Sequence, residues 1–353
     1  MTTQFKLPVN VVTGGLGYLG SNLVLELLKK KEHVLILDDL SNSEFENLSL
    51  FSRELEQPIL DLNGGTSLLT LNVLDLKNYR CLHDSIEKLT KRWNIKCVYH
   101  FAGFKDVSES IQDPSKYYMN NVLGTLNLLS VMDTFNLRNL VFSSSATVYG
   151  TNQPPFKEEM STSSLNPYGS SKMICEKMIA DFQKKNSENK FICLRYFNPV
   201  GASERGFLGD YANYKKPKNL FSNIITSTKE KPLVVFGRDY DTKDGTCIRD
   251  FIHVQDLVKA HILAFEKLNT GFHTLNVGTG VGYSILEVLK EFVENKILVS
   301  YEFGDPREGD IPVGYADTER ASVMLGWVPE KSLADMVKSE YLFFTKQILD
   351  LNH

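Results

Sequence analysis

Through the first half of the chain, short aliphatic and β-branched runs alternate with stretches whose apolar positions recur at helical spacing. The runs predict strands at residues 9–13, 33–37, 68–73, 97–101, 140–143 and 191–196. The longer periods predict helices at about 18–31, 76–91, 115–136 and 167–186. Strand, crossover helix and strand in repeated succession imply an α/β fold, a doubly wound parallel sheet covered on both faces. Residues 41–65 are polar and irregular and read as an elaborated loop after the second strand. Past Tyr196 the regularity fades. Segments 201–217, 237–245 and 304–314, rich in Gly, Pro, Asp and Asn, alternate with shorter helices and strands. Loops of that length carrying Arg, Asp and Tyr suit a pocket for a polar ligand. We place a lobe boundary at Asn198, giving a first domain at 1–197 and a smaller C-terminal α/β substrate-binding lobe at 198–353. Some later segments are free to return to the first sheet.

Composition narrows the partners more than the fold. The 353 residues are 42% hydrophobic and 23% charged, with a net charge of −4. A core is easily built, and no field gathers nucleic acid or an anionic membrane. No apolar run approaches the roughly 20 residues of a membrane span, and residues 1–8 read as no cleaved signal. Cys81, Cys97, Cys175, Cys193 and Cys247 form no C-x-x-C pair and are odd in number. That usage suits a reducing, cytoplasmic compartment without a disulfide framework, and no metal is expected.

The first chemistry appears where strand 9–13 runs into Gly14-Gly15-Leu16-Gly17-Tyr18-Leu19-Gly20 and then an amphipathic helix. Glycines permit a tight strand-to-helix turn and close approach of a pyrophosphate, and the helix start offers free N–H groups. A glycine turn alone also serves structure. Asp38, ending the next strand, sharpens the reading, because an acid there accepts from a ribose 2′-hydroxyl and repels a 2′-phosphate. The fold is therefore of the Rossmann type and the expected cofactor is NAD.

Two further segments suggest a reaction. Ser143-Ser144-Ser145 ends a strand, and Pro167-Tyr168-Gly169-Ser170-Ser171-Lys172 opens a helix. Tyr168 and Lys172, four residues apart, share a helical face. Bringing a phenol from a pKa near ~10 to about 7 requires roughly 4 kcal/mol. A positive charge at about 4 Å, at an effective dielectric near 20, supplies about that much. Lys172 together with a nicotinamide cation is thus expected to make Tyr168 a base, with Ser145 orienting the same substrate oxygen. Removal of a hydroxyl proton with hydride transfer turns a carbinol into a ketone.

These residues, with Phe101-Ala102-Gly103-Phe104-Lys105, Asn120-Asn121-Val122, the stretches 194–202 and 244–254, and Arg307-Glu308-Gly309-Asp310, resemble the extended short-chain dehydrogenase/reductase superfamily. Within it the chain is similar to the UDP-glucose 4-epimerase family over nearly its whole length. The resemblance implies interconversion of UDP-glucose and UDP-galactose through a transient 4-keto sugar, with NAD tightly bound, in galactose metabolism. It implies catalytic Tyr168, Lys172 and Ser145. It implies an NAD site of Gly14, Gly17, Tyr18, Leu19, Gly20, Asp38, Asn42, Asn72, Val73, Phe101, Ala102, Gly103, Lys105, Asn120, Tyr168, Lys172 and Tyr196. The UDP-sugar is implied to meet Lys105, Ser145, Tyr168, Asn198, Asn219, Leu220, Phe236, Arg249, Arg307, Asp310 and Gly314, while His253 reads as a buried, satisfied histidine. Asn72 stands where relatives usually carry an acid, Asp39 where Asn is frequent, and Lys218 replaces a common Asn. Gly314 stands where a bulky Tyr restricts the hexose pocket, so UDP-N-acetylglucosamine and UDP-N-acetylgalactosamine are expected to enter too. Relatives are often homodimers, and a homodimer is expected here. A 4,6-dehydratase, a decarboxylase or a uronate epimerase shares the cofactor turn and the Tyr-Lys pair. A dehydratase would carry an Asp-Glu pair beside the serine, where this chain has Ala146-Thr147. A non-catalytic NAD sensor on the same fold would tend to lose Tyr168 or Lys172.

Overall fold

The computed structural model describes residues 6–43, 45, 47–57, 68–307 and 310–346. Strands β1 (Leu7–Thr13), β2 (His33–Asp38), β3 (Leu69–Val73), β4 (Trp93–His100), β5 (Asn139–Ser145) and β6 (Lys190–Tyr196) follow the periodicity, β4 beginning earlier than expected. Then come β7 (Asn198–Val200), β8 (Leu233–Phe236), β9 (Ile248–His253), β10 (Gly271–Val277), β11 (Gly282–Ser284), β12 (Tyr301–Gly304) and β13 (Val313–Gly314). Seven strands form one sheet in the order β10-β6-β5-β4-β1-β2-β3, and each adjacent pair is parallel. Thus β10, although it follows Asn198, lies in the first sheet.

Alternation builds the two faces. Val12, Ile36 and Tyr99 pack with Leu23 and Leu257 on one side, and Val11, Leu35 and Val98 pack with Leu129 and Met132 on the other. Chain order reverses at β1, which has β4 on one side and β2 on the other. A crevice at the carboxyl ends of the strands belongs at such a switch. Thr13 registers with both Leu37 and His100, so those ends finish together.

Two expectations need correction. Residues 41–65 are not all loop: Asn47–Leu55 is a helix, with Phe51 and Glu54 buried. Glu54 accepts from Ser203 Oγ at 2.7 Å and Arg205 N at 2.8 Å, a tertiary anchor without local sequence signal. Residues 58–65 lie outside the described residues. The single helix expected at 115–136 is Pro114–Tyr117, a π-helical turn at Tyr118–Leu123, and Gly124–Thr134. The second lobe gathers β7, β9, β11 and β13 beside a β8–β12 pair, around Phe221, Phe251, Phe292 and Met336. Among the described residues, no helix is long and apolar enough to cross a membrane.

Candidate active site

A cavity of ≈ 1810 Å³ runs from the ends of β1, β2, β4 and β5 into the second lobe. Pockets for one small ligand occupy about 300–1,000 Å³, so this one has room for two ligands in line. Its floor is the glycine turn. Gly14 has φ +66°, and a Cβ there would lie 2.8 Å from Ala102 N; one on Gly20 would lie 2.2 Å from Gly14 O. Both side chains must be hydrogen for the turn to close. No side chain caps the Tyr18–Lys29 helix, leaving its first N–H groups at the cavity. The Asp38 carboxylate, buried at the end of β2, accepts from Leu16 N and Leu40 N, each at 3.0 Å, and from Ser43 Oγ at 2.8 Å. An acid held this way fits a ribose diol, and the adjacent turn fits a pyrophosphate.

Gly17, Tyr18, Leu19, Asn42, Phe101, Ala102, Gly103, Lys105 and Asn120 line the same cavity. Asn72 and Val73 do not. Asn72 donates to Ser85 Oγ at 3.0 Å, and Val73 is exposed on the edge strand. The wall there is made by the next residues, Leu74 to Leu76. Lys105 pairs with Asp210 at 2.6 Å, and Lys218 pairs with Asp106, so two ion pairs join the loop after β4 to the second lobe. Asp210 had no sequence signal. Asn121, on the π-helical turn, accepts from Phe104 N at 2.9 Å and donates to Ser171 Oγ at 3.0 Å, tying that loop to the Pro167–Gln183 helix.

At mid-cavity lie Ser145, Tyr168 and Lys172. Asn166 caps the helix by accepting from Gly169 N, which seats Tyr168 and Lys172 on its buried face. Ser145 Oγ accepts from Thr147 N at 3.2 Å and from Thr147 Oγ1 at 2.9 Å, and Tyr117 meets the Tyr168 ring edge-on. The Lys172 amine donates to Ser143 O at 2.7 Å and lies 4.8 Å from the centre of the Phe142 ring. Burial raises the Tyr168 phenol above its ordinary value, with Ser145 pulling the other way. Burial pulls the Lys172 amine down to about 8, opposed by Cys175, Cys193 and Glu176. The expected acidification of Tyr168 joins Lys172 to a nicotinamide cation; among the protein's own groups burial of the phenol is the largest influence. The ammonium is engaged with a carbonyl, and desolvation of the phenol is the larger effect. Tyr196 lines the cavity with its hydroxyl bonded to His261, so its ring packs while its oxygen is committed elsewhere.

Towards the second lobe the lining includes Asn198, Asn219, Leu220, Phe236, Arg249, Arg307, Asp310 and Gly314. Arg249 lies 3.4 Å from Asp310, and the Arg307 guanidinium lies 3.9 Å over the Phe236 ring. A guanidinium beside an acid and another on an aromatic face suit a diphosphate joined to a ribose and a flat base. Glu308 and Gly309 lie outside the described residues. His253 is buried, bonded to Ser339 Oγ at 2.8 Å, and held near 4 by burial, so it is a neutral structural residue.

Comparison with known proteins agrees with this geometry. The model of the NAD dependent epimerase/dehydratase family matches residues 10–278. The UDP-glucose 4-epimerase of Yersinia enterocolitica is 39% identical over 337 residues, 94% of this chain and 96% of that protein. A UDP-glucose 4-epimerase structure from Stenotrophomonas maltophila, with bound NAD and formylated UDP-arabinopyranose, superposes with a TM-score of 0.88 at 33% identity, covering 98% of this chain and 99% of that one. The Bifidobacterium longum UDP-glucose 4-epimerase, in complex with NAD+ and UDP, gives 0.84 at 36% identity, covering 96% and 98%.

Proposed function

The chain belongs to the NAD dependent epimerase/dehydratase family, and from that premise we propose that it is a UDP-glucose 4-epimerase serving galactose metabolism. The observation that carries the reading is one continuous cavity, with a dinucleotide turn at one end, two arginines at the other and Ser145, Tyr168 and Lys172 between them. Gly14 to Gly20 and Asp38 would hold NAD, with Lys105 and Asn120 beside it. Asn198, Asn219, Phe236, Arg249, Arg307 and Asp310 would hold the uridine diphosphate. When bound, NAD would supply a hydride acceptor and donor for C4 of the hexose and a positive charge that favours the phenolate. Tyr168 takes the 4-hydroxyl proton and later returns it, and Ser145 orients that oxygen. Lys172, anchored on Ser143 O, keeps a cation behind the base. The nucleotide contacts retain the sugar while it turns its other face to the same groups.

At Gly314 the absence of a side chain favours 2-acetamido sugars as further substrates. Exposed Ile111, Met119, Leu126 and Ile174 on and beside the helices at 114–134 and 167–183 support a homodimer. The test is incubation of the purified protein with UDP-galactose and UDP-N-acetylgalactosamine in parallel, without added NAD. Each is expected to give its 4-epimer. Loss of water or carbon dioxide would replace the epimerase by another reaction of the superfamily, and unchanged UDP-galactose would end the reading.

A further inference from the structure

The groups in the proposed reaction hang from two elements whose relative placement must be fixed. Ser143 O, which receives Lys172, and Ser145 Oγ belong to the last three residues of β5. Tyr168 and Lys172 belong to the Pro167–Gln183 helix. Between Ser143 and Ser145 the strand turns Ser144 to the opposite face. Its hydroxyl donates to Glu176 Oε1 at 2.5 Å, and Glu176 lies one helical turn beyond Lys172 on the same helix. Ser144 registers with Arg195 on β6, and Arg195 grips the same carboxylate with Nε at 3.0 Å and Nη2 at 2.7 Å. The guanidinium also lies 4.9 Å from the centre of the Tyr149 ring and donates to Glu158 O at 3.3 Å, bracing the segment that follows Ser145. Ser144, Glu176 and Arg195 are all at least nine-tenths buried.

We propose that Glu176, clamped between Ser144 and Arg195, is a positioning residue that sets the catalytic helix against the end of β5. Removing one partner of a buried ion pair ordinarily destabilises a protein, so loss of stability alone would not distinguish this role. The proposal rests on the epimerase reading, because it assigns the clamp to the placement of Tyr168, Ser145 and Lys172. Cys175 on the same helix, Cys193 on β6 and then Glu176 raise the Lys172 amine against burial, and Lys172 in turn lowers His100 on β4. Ser144 on β5 and Arg195 on β6 complete the surroundings of Glu176. Without the Glu176 charge the ammonium gives up its proton at lower pH.

The experiment compares Glu176→Gln and Ser144→Ala with the unaltered protein, each with its bound NAD, over pH 6–10. Glutamine keeps the shape, so the nucleotide content and the KM for UDP-galactose should be retained. Misplacement of reacting atoms by even ~1 Å costs on the order of 100-fold, so kcat should fall roughly 10–100-fold in both variants. The alkaline limb of the kcat profile should move to lower pH in Glu176→Gln and stay in place in Ser144→Ala. Wild-type kcat and an unmoved limb in Glu176→Gln would overturn the clamp, as would a loss confined to KM. If that variant does not fold, wild-type kcat in Ser144→Ala does the same. Failure of the unaltered protein to interconvert UDP-galactose sinks the epimerase reading instead, so the two failures are distinguishable.

Discussion

Replacing Lys172 by Met should inactivate the protein and, at neutral pH, leave it at least as stable as before. Burial holds the native amine at about 8, against an ordinary value of 10.5. Each pKa unit corresponds to about 1.4 kcal/mol, so keeping the ammonium in the folded state at pH 7 costs roughly 3 kcal/mol. Methionine removes that cost and nearly matches the side-chain length. It also abandons the bond to Ser143 O, and an unsatisfied buried carbonyl costs about 1–3 kcal/mol. The net change is therefore between nothing and about 2 kcal/mol of added stability. Between pH 8 and 10.5 the unfolded lysine binds more protons than the folded one, so the wild type gains stability as pH rises. The advantage of Lys172→Met should be greatest below pH 8 and disappear by about pH 10.5. Urea unfolding of both proteins at pH 6, 7.5 and 9, beside turnover of UDP-galactose, measures it. A variant several kcal/mol less stable at pH 6 to 7, or a difference indifferent to pH, would refute the reasoning.

Tyr168→Phe should keep the fold and the bound nucleotide while kcat drops by about 10²–10⁴, the usual worth of a positioned base; turnover with the absorbance of the purified protein reads both. Gly314→Tyr should penalise UDP-N-acetylglucosamine selectively. A Cβ there already lies 3.3 Å from Ile311 Cδ1 and 3.5 Å from Phe156 Cε2, so the ring must extend into the cavity. An overpacking cost of about 1–3 kcal/mol lowers kcat/KM for the acetamido sugar roughly 5–150-fold relative to UDP-galactose, and an unchanged ratio would contradict it. Glu340 is pushed up to about 7 by burial, against the pull of Tyr214 and Gly201 N. Between its ordinary value and 7 the folded state binds the extra proton, so stability falls as pH rises through that window. Glu340→Gln should therefore raise the unfolding midpoint more at pH 8 than at pH 5, as parallel thermal melts would show.

The reach of the sequence follows from where the determining forces lie. The glycine turn, Asp38 and the Tyr168–Lys172 pair were legible because their spacing is local to a turn, a strand end and a helix face. Six strands of the main sheet were legible because burial on both faces demands continuous apolar runs. The seventh, β10, carries His273, Thr274 and Asn276 among its seven residues. Its place beside β6 is a long-range pairing that periodicity does not encode. The helix at Asn47–Leu55 was hidden for a like reason, since Glu54 is anchored by Ser203 and Arg205 from the second lobe. Asn72 and Val73 carry no periodicity signal for a site; resemblance alone named them, and in the structure Asn72 donates to Ser85 Oγ while the cavity wall beside them is made by Leu74 to Leu76. Asp210 and Glu176 carried no local signal, since their bonds to Lys105 in one case and to Ser144 with Arg195 in the other are long-range.

Under the proposed reaction, the two ends of the cavity face opposite demands, and the residues divide accordingly. Both faces of one sugar carbon must present themselves to a single phenol, so the base has to be fixed while its partner turns. Around Tyr168 and Lys172 the structure spends side-chain bonds freely: Asn166 caps the helix, Asn121 ties it to the loop after β4, and Ser144 with Arg195 holds Glu176. Beside Gly314 the nearest side chains are those of Phe156 and Ile311, whose apolar surfaces would favour no single orientation of a hexose. Towards the second lobe the lining gains Asn198, Asn219, Arg249, Asp310 and Arg307. Strong contacts to the sugar hydroxyls would stabilise one face over the other and raise the barrier to turning. Retention therefore has to come from the nucleotide, and the apolar contacts at Gly314 fit the same requirement as the rigid base.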